Sequence, residues 1–83
     1  MRVLVRLSAA QRAAEPGAAT IAAWAQTSAA RPVRHAAAAG DGWHALELNC
    51  APADCDAALA RLAADTAHFE SVQREQRRRA LAP

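Results

Sequence analysis

A glycine-aspartate-glycine triplet at residues 40–42 constrains the fold of this chain more than any other feature. Glycines on both sides of Asp41 supply the positive φ angles that short hairpin connections use. The segment before the triplet, residues 33–39, has a weak strand pattern, and residues 43–50 alternate clearly between two faces. The triplet therefore predicts a β-hairpin in the middle of the sequence.

Two more strands and two helices are predicted around this hairpin. Residues 2–8 alternate between two faces, which is the pattern of a strand with one face buried. The alanine-rich segment 18–30 ends at Arg31-Pro32, because the residue before a proline is pushed out of the α region. The predicted order is strand 2–8, loop or frayed turn 9–17, helix 18–30, strand 33–39, strand 43–50, helix 51–66 and strand 69–75.

This order, β-α-β-β-α-β, is the ferredoxin-like plan of the α+β class, an antiparallel four-stranded sheet with two helices on one face. Residues 1–76 are predicted to form this single domain, and residues 77–83 to form an extended C-terminal tail. The second face of the sheet has no helix to cover it. We therefore expect that face to meet either a partner or solvent.

The core of this domain is expected to be thin. Alanine supplies most of the 53% of residues that are hydrophobic, and it adds little buried area per residue. A chain of this length buries only about 60% of the surface that its unfolded state exposes. Marginal stability is therefore expected unless a partner completes the fold. The predicted buried stripes are Ala18, Ile21, Ala22, Ala25 and Ser28 in the first helix and Cys55, Leu59, Leu62, Ala63 and Thr66 in the second.

The charge pattern argues against a nucleic-acid partner. The net charge is only +2, although all ten basic residues are arginine and four of them fall in residues 74–79. Ferredoxin-like RNA-binding domains stack bases on aromatic side chains of the open sheet face, where this chain offers only Trp43. No run approaches the ~18 apolar residues of a membrane span, so no membrane partner is expected either.

Two cysteines, Cys50 and Cys55, leave three possibilities. We expect two unlinked small residues that point into the core, because free cysteine is commonly buried. A disulfide from the strand end to the first helical turn is sterically possible. A metal site is the weakest of the three, because the C-x4-C spacing has no second pair of ligands.

The remaining candidates for chemistry do not form a catalytic set. His35, His44 and His68 cannot be combined with a serine or cysteine into a nucleophile, base and orienting group, so each is interpreted as a strand-edge or solvated histidine. No glycine-rich phosphate loop follows the first strand, and the carboxylates are scattered. The sequence therefore predicts no enzyme, no catalytic residue, no cofactor and no bound metal.

The last helix and strand carry a resemblance to a known family. Residues 59–75, L-A-R-L-A-A-D-T-A-H-F-E-S-V-Q-R-E, resemble the end of the inhibitor-type propeptides of subtilisin-like serine proteases. In that family a helix ending near L-x-x-D-P-x-V leads into a strand of the form V-E-Y-V-E-x-D and then a basic tail. The earlier strands are similar to the family's strands in type and order, so the resemblance spans the whole chain.

The resemblance implies a folding chaperone that also inhibits its protease. In the family the open sheet face packs on two surface helices of the protease, and an E-x-D pair, which falls here on Gln73 and Glu75, caps their N-termini. A helix N-terminus presents unpaired N–H groups and a partial positive charge, which such side chains satisfy. The tail then lies in the substrate cleft like a product. The residues that the family's spacing places there are Arg78, Arg79, Ala80 and Leu81, with Leu81 in the primary specificity pocket.

The chain departs from the family pattern at Ser71, which replaces a tyrosine, at Thr66, where proline is frequent, and at Arg78, where an apolar side chain is usual. The implied partner is a subtilisin-like catalytic domain, with the free domain monomeric and the complex a heterodimer. The implied location is secreted or periplasmic, with the signal peptide absent from this sequence. An excised prodomain is slightly favoured, because the chain ends two residues past the inferred cut, but a stand-alone inhibitor stays open.

An alternative of a different class is a small regulatory or assembly domain of the same fold. Such a domain would dimerise through its open sheet face, and its tail would be dispensable. Its expected location is the cytoplasm.

Overall fold

The computed structural model describes residues 1–75 of the 83-residue chain. The predicted tail and residue 76 lie outside the described residues. Within them, the predicted α+β class and the order of four strands and two long helices are confirmed. The elements are β1 (Arg2–Leu7), α1 (Ala9–Ala14), α2 (Ala18–Ala29), β2 (Val33–Gly40), β3 (Trp43–Leu48), α3 (Pro52–Ala64) and β4 (Phe69–Arg74).

The four strands form one antiparallel sheet in the order β2-β3-β1-β4. Strands β2 and β3 are a hairpin, whereas α2 joins β1 to β2 and α3 joins β3 to β4 as crossovers. Both long helices cover the same face, where Val3 and Val5 of β1 meet Ile21 of α2 and Leu62 of α3 in a single core. The opposite face is left without a helix by the described residues, as the element order predicts.

The predicted hairpin connection is confirmed. Gly40, Asp41 and Gly42 have φ angles of +86°, +54° and +81°, all in the left-handed region. This conformation costs little for glycine, and aspartate tolerates it better than most residues. The hairpin ladder is interrupted by register shifts between His35 and Ala37 and again before Gly40. These shifts are β-bulges, which twist a strand and re-aim its side chains.

Alanine at Gly42 is expected to destabilise the domain more than alanine at Gly40. Both substitutions place a Cβ on a positive-φ residue, which costs about 1–2 kcal/mol. A Cβ on residue 42 would also lie 2.3 Å from Cδ of Arg12, whereas a Cβ on residue 40 would meet nothing within 4 Å. Urea unfolding followed by circular dichroism measures both losses. Equal losses for Gly42→Ala and Gly40→Ala would contradict a packing role for Arg12.

Residues 9–17, predicted as a loop or frayed turn, contain the short helix α1. Its cap is Ser8, whose hydroxyl accepts a hydrogen bond from the Gln11 N–H at 3.4 Å. Arg12 donates to the Leu7 carbonyl at 2.7 Å and lies 3.1 Å from a carboxylate oxygen of Glu70 in β4. A six-residue helix is not stable in isolation. These contacts with β1 and β4 therefore hold α1 in place.

The buried stripes of the two long helices differ from the predicted ones. Alanine lies on every side of both helices, so the apolar pattern carries little information about which side faces the sheet. The buried residues are Ile21, Ala25 and Ala29 in α2 and Cys55, Ala58 and Leu62 in α3. The predicted members that are exposed or only half-buried are Ala18, Ala22, Ser28, Leu59, Ala63 and Thr66. Among residues 1–75, no helix has the length and apolar character needed to cross a membrane.

Candidate functional site

Among residues 1–75, no helix covers the sheet face opposite the core. Side chains directly opposite each other on paired strands share a face, and Val3, Val5 and Leu7 of β1 point into the core. The residues between them and their cross-strand partners therefore point the other way. We call this surface the open face; its residues are Arg2, Leu4, Arg6, Arg34, Ala37, Trp43, Ala45, Glu47, Ser71 and Gln73.

The centre of the open face is apolar. Leu4 pairs with Ala45, and Trp43 lies on the same strand two residues before Ala45. Ala45 is only 6% exposed, although it is not part of the core cluster on the helix side. Leu4 and Trp43 are half-buried. The centre of the open face is therefore a small apolar patch in which Ala45 is covered and Leu4 and Trp43 remain half exposed.

Charged side chains lie around this patch, and two of its arginines are paired. The guanidinium of Arg2 lies 3.2 Å from a carboxylate oxygen of Glu47 and 3.8 Å from one of Glu75. The guanidinium of Arg6 lies 3.0 Å from a carboxylate oxygen of Glu70. Exposed pairs of this kind contribute about 0–1 kcal/mol each, so they add little to stability and partly neutralise the charge beside the apolar patch.

The structure places the two predicted capping residues together. Gln73 is exposed on edge strand β4, opposite Leu4, and Glu75 follows the end of that strand. The N–H of Glu75 donates to the Arg2 carbonyl at 3.0 Å, which continues the β1–β4 ladder past the strand. Because residues two apart on a strand share a face, both side chains lie on the open face. Arg78, Arg79, Ala80 and Leu81 lie outside the described residues.

Arg74, between the two capping residues, has the opposite orientation. Its guanidinium bonds to the Asp56 carboxylate of α3, and its Nε lies 3.2 Å from the Met1 sulfur. The end of β4 is thus fastened to the helix layer by one residue while its neighbours stay on the open face.

The prediction of two unlinked cysteines is wrong, because Cys50 and Cys55 form a disulfide. Their Cα atoms are 5.4 Å apart, within the usual range for this bond. Cys55 is buried in the first turn of α3, and Cys50 is half-buried between β3 and α3. The N-cap of α3, Ala51, has no side chain to accept a hydrogen bond. The disulfide therefore fastens a helix start that lacks a side-chain cap.

Two histidine clusters were not predicted from the sequence. His35 and His44 face each other across the hairpin, with Nε2 of one 3.0 Å from Nδ1 of the other. Burial, and secondarily the charge of His35, lowers the pKa of His44 below its usual value. Both rings are half-buried rather than solvated. His35 is opposite Leu46, and His44 lies two residues before Leu46 on β3, so the two histidines are diagonal neighbours on one sheet face.

The second cluster joins α2, the end of α3 and the start of β4. Asp65 accepts a hydrogen bond from Ser28 and lies 2.9 Å from Nδ1 of His68, whose ring stacks on Trp24 at 4.6 Å. The carboxylate lies between the hydroxyl and the imidazole. In a Ser-His-Asp relay the imidazole occupies that middle position, so this geometry does not activate Ser28. In the sequence, only the i,i+3 spacing of Asp65 and His68 indicates that these two members of the cluster meet.

The electrostatics of Asp65 follow from these contacts. Burial works to raise the pKa of its carboxyl, but the hydrogen bonds from Ser28 and His68 and the charge of His68 outweigh burial, so the pKa is lowered. A carboxylate that is satisfied by two neighbours in the folded state prefers its ionised form there. Asp65 is therefore a source of pH-dependent stability.

Asp65→Asn is expected to remove part of the acid sensitivity of the domain. Because the folded pKa of Asp65 lies below its ordinary value of 3.8, the unfolded state takes up the proton first. The stability from the ionised carboxylate is thus present above about pH 4 and is lost as pH falls through the folded pKa. Urea midpoints measured between about pH 6 and pH 2 test this. Asp54→Asn, on the exposed side of α3, is the matched control; equal acid slopes for wild type and Asp65→Asn would contradict the assignment.

Within residues 1–75, no three or more His, Cys, Asp or Glu side chains converge as a metal-binding group.

Comparisons of the chain with protein-family models, with curated proteins and with solved structures found no match. The open face, bordered by Gln73 and Glu75, is therefore taken as the candidate site.

Proposed function

We propose that this domain is a propeptide, or a stand-alone propeptide-like inhibitor, of a subtilisin-like serine protease. It docks on the catalytic domain through the open face and presents the segment after β4 to the substrate cleft. As a prodomain it also acts as a folding chaperone. The observation that carries the proposal is the position of Gln73 and Glu75, side by side on the uncovered face where β4 leads into the tail.

The spacing of these two residues supports docking on a pair of helices. Residues two apart on a strand are separated by about 6.7 Å, and packed helices lie about 8–10 Å apart. Side chains as long as glutamine and glutamate span the difference. Each then meets the unpaired N–H groups at one helix N-terminus. The negative charge of Glu75 suits the positive end of a helix dipole. On docking, Glu75 gives up its 3.8 Å contact with Arg2 and binds the helix N-terminus instead.

The apolar centre of the open face supports a macromolecular partner. Leu4 and Trp43 remain half exposed because the described residues provide no helix on this side. Aromatic side chains are enriched at protein interfaces, where they contribute a large part of the binding energy. The paired arginines around the patch form a polar rim. An apolar centre with a polar rim is the usual anatomy of an interface.

The disulfide supports the compartment that the proposal requires. Structural disulfides persist in secreted and periplasmic proteins and are rare where thiols are kept reduced. The Cys50–Cys55 bond therefore favours a secreted or periplasmic location over the cytoplasm. In such a compartment the domain meets secreted proteases.

A second candidate function is a regulatory or assembly domain that dimerises through the open face. The exposed part of the same Leu4–Trp43 patch favours it, since two copies would cover each other's patches. This candidate predicts a dimer of the free domain by sedimentation equilibrium. The protease proposal predicts a monomer that becomes a heterodimer when the enzyme is added.

The test is slow, tight inhibition of a panel of subtilisin-like proteases by the 83-residue chain. Removal of residues 77–83 is expected to weaken inhibition by a hundredfold or more, about 3 kcal/mol, because the cleft contacts are lost. Glu75→Ala is expected to weaken it by roughly tenfold through loss of one helix cap.

The matched control is Asp54→Ala. Asp54 is an exposed carboxylate on α3 that pairs with Arg31, as Glu75 pairs with Arg2, but it lies on the helix side of the sheet. Its removal should leave inhibition unchanged. No inhibition of any protease in the panel, or full inhibition without residues 77–83, would contradict the proposal.

A further inference from the structure

The His35–His44 pair has the geometry of a small chelating group. Nε2 of His35 and Nδ1 of His44 are 3.0 Å apart, and the two ring planes are inclined by 61°. Each nitrogen carries a lone pair or a hydrogen directed toward the other ring. Two imidazole nitrogens that face each other at this distance are either hydrogen-bonded or placed to share an ion.

The nitrogen separation sets the angle at which a shared metal would be held. Imidazole nitrogens bind first-row divalent metals at about 2.0–2.1 Å. Two such bonds to nitrogens 3.0 Å apart enclose roughly 95° at the metal. That angle is close to the cis angle of tetragonal copper(II) and smaller than the tetrahedral angle of zinc. Copper(II) also binds nitrogen sites more tightly than the other divalent metals of the series.

We infer that His35 and His44 form a two-imidazole binding site for a late first-row divalent metal ion, with copper(II) preferred. The two histidines are supplied by neighbouring strands, β2 and β3, and water completes the coordination. The site is independent of the proposed inhibitory function. It uses a part of the hairpin that the open face does not include.

The backbone prepares this site without a metal. In the ladder, His35 is opposite Leu46 and His44 is opposite Ala38, so the two histidines are not direct partners. His44 lies two residues before Leu46 on β3, so the two histidines are diagonal neighbours on the same face of the sheet, within reach of long side chains. The strand pairing therefore sets the positions from which the two rings extend.

One of the two histidines borders a groove that is open to solvent. His44 lines a surface groove of about 350 Å³ together with Arg12, Glu15, Gly42 and other residues. The groove is lined by one positive side chain, Arg12, and one negative side chain, Glu15, and their charges balance each other. Solvent in the groove supplies the water ligands that two histidines leave unfilled.

Metal binding at this pair requires a tautomer change and a rotation of the rings, which turns both lone pairs from the line between the nitrogens toward the metal. In the hydrogen-bonded pair one of the two facing nitrogens carries the proton and the other accepts. In the metal-bound pair both facing nitrogens donate lone pairs, and each ring keeps its single proton on the nitrogen that faces away. Both rings stay neutral, no electron is transferred, and no net proton is released.

Calorimetric titration of the full chain with copper(II) at neutral pH tests the inference. One equivalent is expected to bind, and zinc(II) is expected to bind more weakly. His35→Gln and His44→Gln are each expected to weaken copper binding by tenfold or more, since even removal of outer-shell partners costs about 10–100-fold. The chain has three histidines, so His68→Gln is the matched control and should bind like wild type.

A second measurement does not depend on the variants folding. Substoichiometric copper(II) broadens the NMR signals of nearby nuclei, so the imidazole signals of His35 and His44 should broaden before those of His68. Electron paramagnetic resonance should show two coordinated imidazole nitrogens. Equal broadening of all three histidines, preferential broadening of His68, or no binding of copper would each overturn the inference.

Discussion

Replacing Phe69 with alanine is expected to leave most of the molecules unfolded even without denaturant. Phe69 is 1% exposed and is one of the largest fully buried side chains among residues 1–75, whose core otherwise depends on aliphatic residues and alanine. Truncation of a buried phenylalanine costs about 3–5 kcal/mol. A domain of this size with one small core has about 3–5 kcal/mol in total. The loss is therefore comparable with the whole stability of the fold.

Urea unfolding followed by far-ultraviolet circular dichroism measures this effect. Val72→Ala on the same strand is the matched control, because Val72 is only half-buried at the edge of the core. It should lower the midpoint modestly and leave a cooperative transition. If Phe69→Ala unfolds cooperatively with a free energy of unfolding within about 1 kcal/mol of the wild-type value, the core is not as thin as its composition indicates.

Removing the disulfide is expected to cost about 2 kcal/mol of folding free energy, the chain-entropy value for a loop of this length. Cys50 and Cys55 are separated by five positions, so the loop is short. The loss still matters, because the total stability is small and the N-terminus of α3 has no side-chain cap. We expect the start of α3 to loosen first, because the bond fastens it directly to the end of β3.

The measurement compares urea midpoints with and without a reducing agent. The double variant Cys50→Ala, Cys55→Ala should show no response to the reducing agent. This variant also loses the buried sulfur of Cys55, so its midpoint should lie slightly below that of the reduced wild type. Identical midpoints for the oxidised and reduced wild type would contradict a stabilising role for this bond.

The parts of the fold that local chemistry decides were predictable. Asp41 between two glycines identifies the hairpin because few sequences reach three successive positive φ angles. The alternation of residues 2–8 identifies β1 because one strand face must meet the core. Arg31-Pro32 ends the first long helix for steric reasons that need no tertiary contact. Each of these signals lies within a few residues of the feature that it predicts.

The parts that depend on distant contacts were not predictable. Helix α1 is held in part by the contact of Arg12 with Glu70, a residue far along the chain. The disulfide depends on the distance between a strand end and a helix start. The buried sides of the long helices depend on tertiary packing, because alanine on every side leaves the apolar pattern uninformative. The two histidine clusters depend on the pairing of β2 with β3 and on the meeting of α2, α3 and β4.

The candidate site was predicted in part. The parity of β4 places Gln73 and Glu75 on one face, as the resemblance to protease propeptides implies, and no helix among residues 1–75 covers that face. The contact of Glu75 with Arg2 was not expected. The cleft residues Arg78, Arg79, Ala80 and Leu81 lie outside the described residues, so their role stays a prediction.

Hydroxyl-radical footprinting of the complex with an inhibited subtilisin-like protease tests the central proposal most directly. The chain contains two tryptophans, and they report on opposite sides of the sheet: Trp43 on the open face and Trp24 on α2, stacked on His68. Docking through the open face predicts that the oxidation rate of Trp43 falls severalfold in the complex while that of Trp24 is unchanged. An inhibited complex in which Trp43 is oxidised as fast as in the free domain would contradict it.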